Sequence, residues 1–306
     1  MSAGPTRGLR RRDVYPAPLV DGRQLPGDTA GRMRRRLQRA FVSDDERQEA
    51  ELEQKLRTAP SVTRPNTIAL ISPKGGVGKT TATFVTGNLL ASHLKLRAIA
   101  VDANPDFGTL ARLAPDDRRS ERSLADLLDD ADRLNTAAEL TPYVSRLATG
   151  LHVLGAPHDA ELTAGLGTER YGELVAFLST FYDVVLLDLG TGVVGPLARF
   201  ATERADQVVL VTTPEWITSS VVLEALAYLR HDHATVAINK SLVPARAEQL
   251  LEDRFRAEHL HRVVTIPHDE QLAAMLDSGT YTVGALRGPT RGAVKRLGLA
   301  VAEQLL

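Results

Sequence analysis

The stretch ISPKGGVGKTTATF, residues 71–84, contains two lysines around a run of glycines. Glycines let a backbone turn aim several N–H groups at one point, and the start of a helix adds partial positive charge there. Lys79 can neutralise the β- and γ-phosphates of a nucleotide, and the Thr80 hydroxyl can bind Mg²⁺. The general pattern G-x-x-x-x-G-K-[ST] needs a glycine where this chain has Pro73, and Lys74 stands beside that proline. The stretch predicts a phosphate-binding loop and leaves an extra lysine to explain.

A second motif, which contains an aspartate, can complete this site. VVLLDLGTG, residues 184–192, is an apolar strand pattern that ends in Asp188. A carboxylate in that position can hold Mg²⁺ directly or through water. By itself the segment is better explained by an ordinary turn at a strand end, but beside a phosphate loop the metal role is favoured.

KGGVGKTT, residues 74–81, resembles the deviant phosphate-loop signature of the MinD/ParA family of ATPases, and the resemblance extends from about Asn66 to the C-terminus. In that family the early lysine, here Lys74, reaches across a dimer interface to the phosphates of the partner's nucleotide. A lysine brought in from outside offsets the charge of phosphoryl transfer, as arginine fingers do. The resemblance implies an ATP-dependent homodimer that acts as a switch on a cargo, with an activating protein partner. The implied ATP-binding residues of the loop are Gly75, Gly76, Val77, Gly78, Lys79, Thr80 and Thr81.

VDANPDFGTL, residues 101–110, resembles the first switch segment of the same family, which usually reads Asp-x-Asp. Asp102 matches the first aspartate, but Asn104 stands where the second would orient the attacking water. Asparagine can hold a water by hydrogen bonds but cannot accept its proton. Asp106 could substitute, although a shift of two residues moves the carboxylate by several Å. We expect a slow ATPase; the alternative is a nucleotide-binding interaction module with very slow or no hydrolysis.

Two later strand ends could contact the adenine base. Asn239 ends the strand pattern before KS, and Pro267 ends the next one along the chain. The resemblance implies that Asn239 reads the base edge and that the segment around Pro267 wraps it. Ordinary strand-end turns explain both segments equally well.

Strand and helix patterns alternate from Asn66 onward. The short apolar runs typical of parallel strands buried on both faces lie at residues 67–72, 97–102, 151–156, 183–188, 207–212, 234–239 and 262–267. Helical patterns lie between them, for example at residues 79–93, 169–180, 218–230 and 290–305. The alternation predicts an α/β fold of the P-loop NTPase type, with a mainly parallel sheet covered by helices on both faces.

The beginning of the chain differs from the rest in charge. Residues 1–40 contain ten arginines and three aspartates, whereas the whole chain has a net charge of −1. We therefore predict a basic, partly helical extension over residues 1–64 and an ATPase domain over residues 65–306. Residues 1 to about 30 show no apolar period and are expected to be loosely held.

Residues 31–42 form a basic amphipathic pattern. Its apolar stripe consists of Met33, Leu37, Ala40 and Phe41. This stripe could lie on anionic membrane, accompany non-specific DNA contacts, dock on a partner or pack on its own domain. Ser43 and Glu46 then fit a capping box for a second, polar helix. The C-terminal pattern favours a docked last helix over a membrane anchor, because it lacks an extensive basic face.

The composition excludes several classes of protein. The chain has no cysteine, which removes disulfides, zinc–thiolate sites, thiol catalysis and cysteine-ligated iron–sulfur clusters. Relatives of this loop that need cysteines, such as the nitrogenase iron protein, are excluded with them. No secretory signal or membrane-spanning run is evident, so we expect a cytoplasmic protein that could attach to membrane or nucleoid through the arm.

A narrower resemblance combines the extension with the Asn-Pro-Asp run at residues 104–106. Both are similar to features of the actinobacterial EspI-like ATPases, a MinD-like group associated with type VII secretion. The expected role of the switch is to position or regulate a cargo, or a secretion or partition machinery. A metabolic ligase stays open as another user of the loop.

Overall fold

The computed structural model describes residues 47–104, 108–157, 159, 162, 166–226 and 234–305. The basic arm, its predicted helix at residues 31–42 and the capping box of Ser43 and Glu46 lie outside the described residues. All of Asp45–Leu306 belongs to one compact unit. The predicted division of the chain at residues 64 and 65 stays a prediction.

One sheet forms the centre of this unit. Its strands are β1 Asn66–Ser72, β2 Ala98–Ala103, β3 Ser145–Arg146, β4 His152–Leu154, β5 Val184–Thr191, β6 Gln207–Thr212, β7 Ala234–Ser241 and β8 Arg262–Pro267. Within the described residues the order is β3-β4-β2-β5-β1-β6-β7-β8, and only the β3–β4 pair is antiparallel. The seven predicted strands are confirmed. The two-residue β3 is too short for a hydrophobic period to reveal it.

The residues of β1 explain why both faces of the sheet are covered. Ile68 and Leu70 belong to one hydrophobic core and Ala69 and Ile71 to the other, and all four are fully buried. Side chains alternate across a strand, so a strand that is apolar at every position must have packing partners on both sides. The predicted arrangement of helices on both faces is confirmed.

The helices of the described chain divide between these two cores. They are α1 residues 47–57, α2 Lys79–His93, α3 Leu124–Asp130, α4 Gly167–Leu178, α5 Pro196–Arg204, α6 Trp216–Leu226, α7 Ala245–Ala257, α8 Glu270–Asp277 and α9 Gly288–Ala302. Helices α1, α2, α8 and α9 contribute to the core on one face, and α3 to α7 to the core on the other. The predicted helix at residues 218–230 is observed as α6, and residues 227–233 lie outside the described range.

Helix α1 packs against the last helix through charged groups. Lys295 of α9 is 6% exposed and forms ion pairs of 2.9 Å with Glu49 and with Glu53 of α1. Leu56 of α1 is buried in the core. A buried ammonium group needs such partners, because an unpaired charge in the interior is costly. The polar helix that precedes the domain is therefore joined to it.

Helix α9 is docked as its sequence predicts. Val294, Leu297 and Val301 are fully buried. No helix among the described residues is long and apolar enough to cross a membrane.

Candidate nucleotide-binding site

The phosphate loop, residues 73–78, connects the carboxyl end of β1 to the first residue of α2. Gly76 and Gly78 have φ angles of 78° and 90°, a region that glycine adopts without steric cost. A Cβ atom on Gly78 would also lie 2.1 Å from Nδ2 of Asn239. The N–H groups of the first helical turn have no partner within a helix, so the start of α2 offers donors and partial positive charge to phosphate.

Lys79 and Asp188 form a buried ion pair beneath this loop. Lys79 Nζ lies 3.1 Å from Asp188 Oδ1, and the Thr83 hydroxyl donates to the same oxygen at 3.3 Å. Lys79 is 7% exposed and Asp188 1%. The Asp188 carboxylate of β5 therefore holds the lysine at the loop, where a bound phosphate would compete for it.

The second oxygen of Asp188 fits a magnesium ligand. Asp188 Oδ2 is buried and has no hydrogen-bond partner within the described part of the chain. A carboxylate oxygen without a partner is costly to bury, and hard oxygen ligands are what Mg²⁺ prefers. Thr80 and Thr81, in the first turn of α2, are half-buried. The residues present fit Mg²⁺ held by Thr80 and Asp188, directly or through water.

The other lysine of the loop, Lys74, differs from Lys79 in its burial and in its hydrogen-bond partner. It is exposed, and its Nζ donates to the hydroxyl of Thr218 on α6 at 3.2 Å. The carboxyl group of Glu215, just before α6, has a lowered pKa, mainly through a hydrogen bond from Thr213 and further through the charges of Lys74 and Lys240. Lys74 therefore stands at the open side of the site, next to the beginning of α6.

Two residues at the end of β7 hold the phosphate loop in place. Asn239 Nδ2 donates to the Val77 carbonyl at 2.9 Å, and Lys240 Nζ donates to the Gly76 carbonyl at 2.8 Å. In this structure the Asn239 amide therefore supports the loop; its predicted contact with a base stays a prediction. Lys240 was not predicted as a site residue, and its only signal in the sequence is its position directly after Asn239.

The other predicted binding residues lie around the same edge of the sheet. Val77 is buried and Gly75 is exposed; a Cβ atom on Gly75 would lie 3.4 Å from Thr191 at the end of β5. Pro267 ends β8 and pairs with Ser241 of β7, one strand farther from the loop than Asn239. The structure thus brings Val77 and Asn239 together but leaves Pro267 paired with Ser241.

Asp102 lies near the carboxyl end of β2, directly beside Asp188 of β5, with which it is paired in strand register. Its carboxylate accepts hydrogen bonds from the N–H groups of Leu110 at 2.8 Å and Asn104 at 3.3 Å. Burial, and then the charge of Asp188, raise the pKa of Asp102 to about 7. The first switch segment thus starts at a carboxyl group that is unfavourable to ionise.

The rest of the switch segment is shaped around that carboxyl group. Asn104 is half-buried, and Asp106 lies outside the described residues. A Cβ atom on Gly108 would lie 2.4 Å from Asp102 Oδ2, so only glycine leaves room at this position. Gly108 was not predicted as a site residue, because a lone glycine in a loop does not reveal which atoms approach it in the fold.

The fold and this site are those of the P-loop NTPase class. The family described as AAA domain matches residues 65–242. The chain is 30% identical over 244 residues to the ESX-1 secretion-associated protein EspI of Mycobacterium tuberculosis, covering 76% of this chain and 36% of EspI. It therefore spans about a third of the length of that relative.

Solved structures show the same fold. A ParA family ATPase from Chlorobium tepidum TLS superposes with a TM-score of 0.64 at 21% identity, covering 76% of this chain and 98% of that one. The septum site-determining protein MinD from Pyrococcus horikoshii OT3, complexed with Mg-ADP, gives a TM-score of 0.57 at 22% identity, covering 77% and 94%. The chain belongs to the MinD/ParA family of ATPases and is EspI-like.

Proposed function

We propose that this protein is an ATP-binding, dimerising switch ATPase that positions or regulates a cargo, or a secretion or partition machinery. The observation that carries this proposal is the exposed position of Lys74. This lysine is a cation at the mouth of the site, and within the described residues it forms no ion pair; its side-chain partner is the neutral hydroxyl of Thr218. A lysine in this setting is free to meet the phosphates of a second subunit's nucleotide.

Exposed apolar side chains near Lys74 support a dimer interface on this side. Trp216 and Ile217, which open α6, are 66% and 71% exposed, and Val194 is 52% exposed. All three follow the carboxyl ends of β5 and β6, the edge of the sheet where the phosphate loop lies. Large apolar side chains exposed together often mark an interaction surface.

ATP and Mg²⁺ are the proposed cofactors. The loop residues Gly75 to Thr81 would bind the phosphates, Thr80 and Asp188 the metal, and Asn239 and Pro267 the region of the base. Mg²⁺ supplies charge neutralisation on the phosphates when it is bound. Lys79, at 3.1 Å from Asp188, would transfer its contact to phosphate, while Lys74 would act on the partner's nucleotide. Asp102, Asn104 and Asp106 would orient the attacking water.

The decisive experiment compares Lys74→Ala with Lys55→Ala, an exposed lysine of α1, by size-exclusion chromatography with light scattering. Wild type and Lys55→Ala are expected to be monomers with ADP and dimers with ATP. Lys74→Ala should stay monomeric with ATP while still binding it. If Lys74→Ala forms ATP-dependent dimers to the same extent as wild type, the proposal is wrong.

A second candidate is a nucleotide-binding interaction module that barely hydrolyses ATP. Asn104 favours it, because the family's second aspartate is missing there. Phosphate release should be measured with and without DNA and anionic liposomes. Robust turnover in any of these conditions rejects the module.

The proposed partners are a second copy of the chain, an activating or cargo protein, and DNA or anionic membrane contacted by the basic arm. EspI is by name a secretion-associated protein, which motivates testing a secretion machinery as cargo. We propose a cytoplasmic location, peripheral to membrane or nucleoid.

A further inference from the structure

A basic cleft lies at the β3 edge of the sheet. Its volume is about 820 Å³, within the range of roughly 300–1,000 Å³ that is usual for small-molecule sites. Its charged lining consists of Arg118, Arg119, Arg122, Arg146, His152, Asp117 and Glu121. A second cavity of about 470 Å³ shares Arg119 and Arg122 with it and adds Arg112. The two cavities therefore form adjoining parts of one arginine-rich surface.

The arginines of this surface are of two kinds. Arg119 and Arg122 are used within the protein: Arg119 donates to three backbone carbonyls, and Arg122 pairs with Asp130 and lies over the Tyr143 ring. Arg118 and Arg146, by contrast, have no side-chain hydrogen bond or ion pair within the described chain, although both line the larger cleft. Two guanidinium groups are thus available to a ligand.

The lining of the cleft carries more positive than negative charge, with four arginines against Asp117 and Glu121. Residues 47–306 as a whole carry 27 Lys and Arg against 32 Asp and Glu, so the cleft differs in charge from the rest of this part of the chain. Arg146 pairs in strand register with His152, and burial, followed by the charge of Arg146, lowers the pKa of that histidine. An anion bound beside Arg146 would offset the charge of its guanidinium group.

We propose that this cleft binds a small ligand that carries two or more phosphate groups, with Arg118 and Arg146 as its charged contacts. Guanidinium groups bind phosphate oxygens through paired hydrogen bonds. The size of the cleft favours a small molecule over a nucleic-acid duplex, which needs an extended surface of roughly 1,000 Å² or more. This site is separate from the phosphate loop, and its ligand binding does not depend on the proposed function; only its coupling to Mg-ADP rests on that proposal.

The wall of the cleft is connected to the switch segment. Arg119 donates to the carbonyls of Ala111, Arg112 and Ala114 at 2.9–3.1 Å, and the adjacent Leu110 N–H donates to Asp102. A ligand that draws Arg119 toward itself would loosen the turn that supports the Asp102 carboxylate. We therefore expect occupancy of the cleft to change the affinity for Mg-ADP, and by linkage the reverse.

The probe is inorganic pyrophosphate, titrated calorimetrically into protein saturated with Mg-ADP, with Mg²⁺ in excess over pyrophosphate. Wild type and the control Arg246→Gln, an exposed arginine of α7, are expected to show one site. The double variant Arg118→Gln/Arg146→Gln should weaken binding by at least about tenfold, because it removes both charged contacts of the ligand. Absence of binding to wild type, or equal binding to the double variant, overturns the site.

Two further outcomes test the small-ligand proposal and its coupling to ADP binding. If a short DNA duplex binds to wild type and is lost in the double variant while pyrophosphate does not bind, the small-ligand proposal is wrong. Pyrophosphate also competes with ADP at the phosphate loop, so coupling is read as the difference between wild type and the double variant in the shift of the ADP dissociation constant. Equal shifts in the two proteins overturn the coupling.

Discussion

The phosphate loop follows β1 and the first switch segment follows β2, at the same edge of the sheet with β5 between them, but the two segments are held in opposite ways. Asn239 and Lys240 hold the phosphate loop by hydrogen bonds to its carbonyls, and Asp188 pairs with Lys79 beneath it. The switch segment starts instead at Asp102, a carboxyl group whose ionisation is opposed by burial and by Asp188. The loop is thus held by contacts within the protein, whereas the switch starts at a carboxyl group whose ionisation nearby cations would favour.

The largest expected effect belongs to the loop. Lys79→Ala removes the cation at the phosphates and leaves Asp188 buried without its partner. We expect ATP and ADP affinity to fall by at least about 100-fold, or about 3 kcal/mol, as for the loss of a desolvated charged contact. Calorimetric titration measures it, with Lys55→Ala as the control. Affinity within a few-fold of wild type would contradict the site.

Asp102→Asn tests the switch through its pH dependence. The pKa of Asp102 in the folded protein, about 7, lies above its ordinary value, so ionisation between about pH 4 and 7 destabilises the nucleotide-free wild type. The asparagine variant does not lose this stability, because its side chain does not ionise. Its melting temperature relative to wild type should therefore rise from pH 5 to pH 8, by the equivalent of about 2–3 kcal/mol.

The control for that experiment is Asp183→Asn. A hydrogen bond from Arg97 lowers the pKa of Asp183, so this carboxylate stays ionised and stabilising from pH 5 to pH 8. The variant should be less stable than wild type by a constant amount across that range. A pH-independent difference for Asp102→Asn as well would show that Asp102 ionises normally.

Gly108→Ala probes the close packing around the same carboxyl group. The added Cβ atom would lie 2.4 Å from Asp102 Oδ2, and the segment must shift. Overpacking of this kind costs about 1–3 kcal/mol. Chemical denaturation measures the free energy of unfolding. Gly284→Ala, which would meet no atom within 4 Å, is the control and should change it by no more than about 0.5 kcal/mol; equal stability of both variants would remove the steric argument.

Asn104→Asp is expected to have the smallest effect. If the missing carboxylate limits hydrolysis, this change should raise steady-state phosphate release by about tenfold, or about 1.4 kcal/mol of barrier. ATP binding should stay unchanged. No increase would count against the water-orienting role of this position.

The sequence predicted a residue's role best where that role depends on the local backbone or on neighbouring residues in the chain. Gly78 was predicted from the loop pattern, and its φ of 90° is the reason. Ile68 to Ile71 predicted a strand buried on both faces because every side chain there is apolar. Lys240 and Gly108 were not predictable in the same way, because their roles depend on atoms far away in the chain: the Gly76 carbonyl for one and the Asp102 carboxylate for the other.

The sequence by itself determined the family resemblance, the α/β fold and the presence of two lysines at a phosphate loop, since these follow from short-range spacing and hydrophobic period. Only the tertiary structure decided that Lys79 is buried against Asp188 while Lys74 stays exposed beside α6. It also decided that Asp102 and Asp188 lie side by side. The physical reason is that burial and the distance between charges are set by which strands become neighbours, and residues 102 and 188 become neighbours only when β2 pairs with β5.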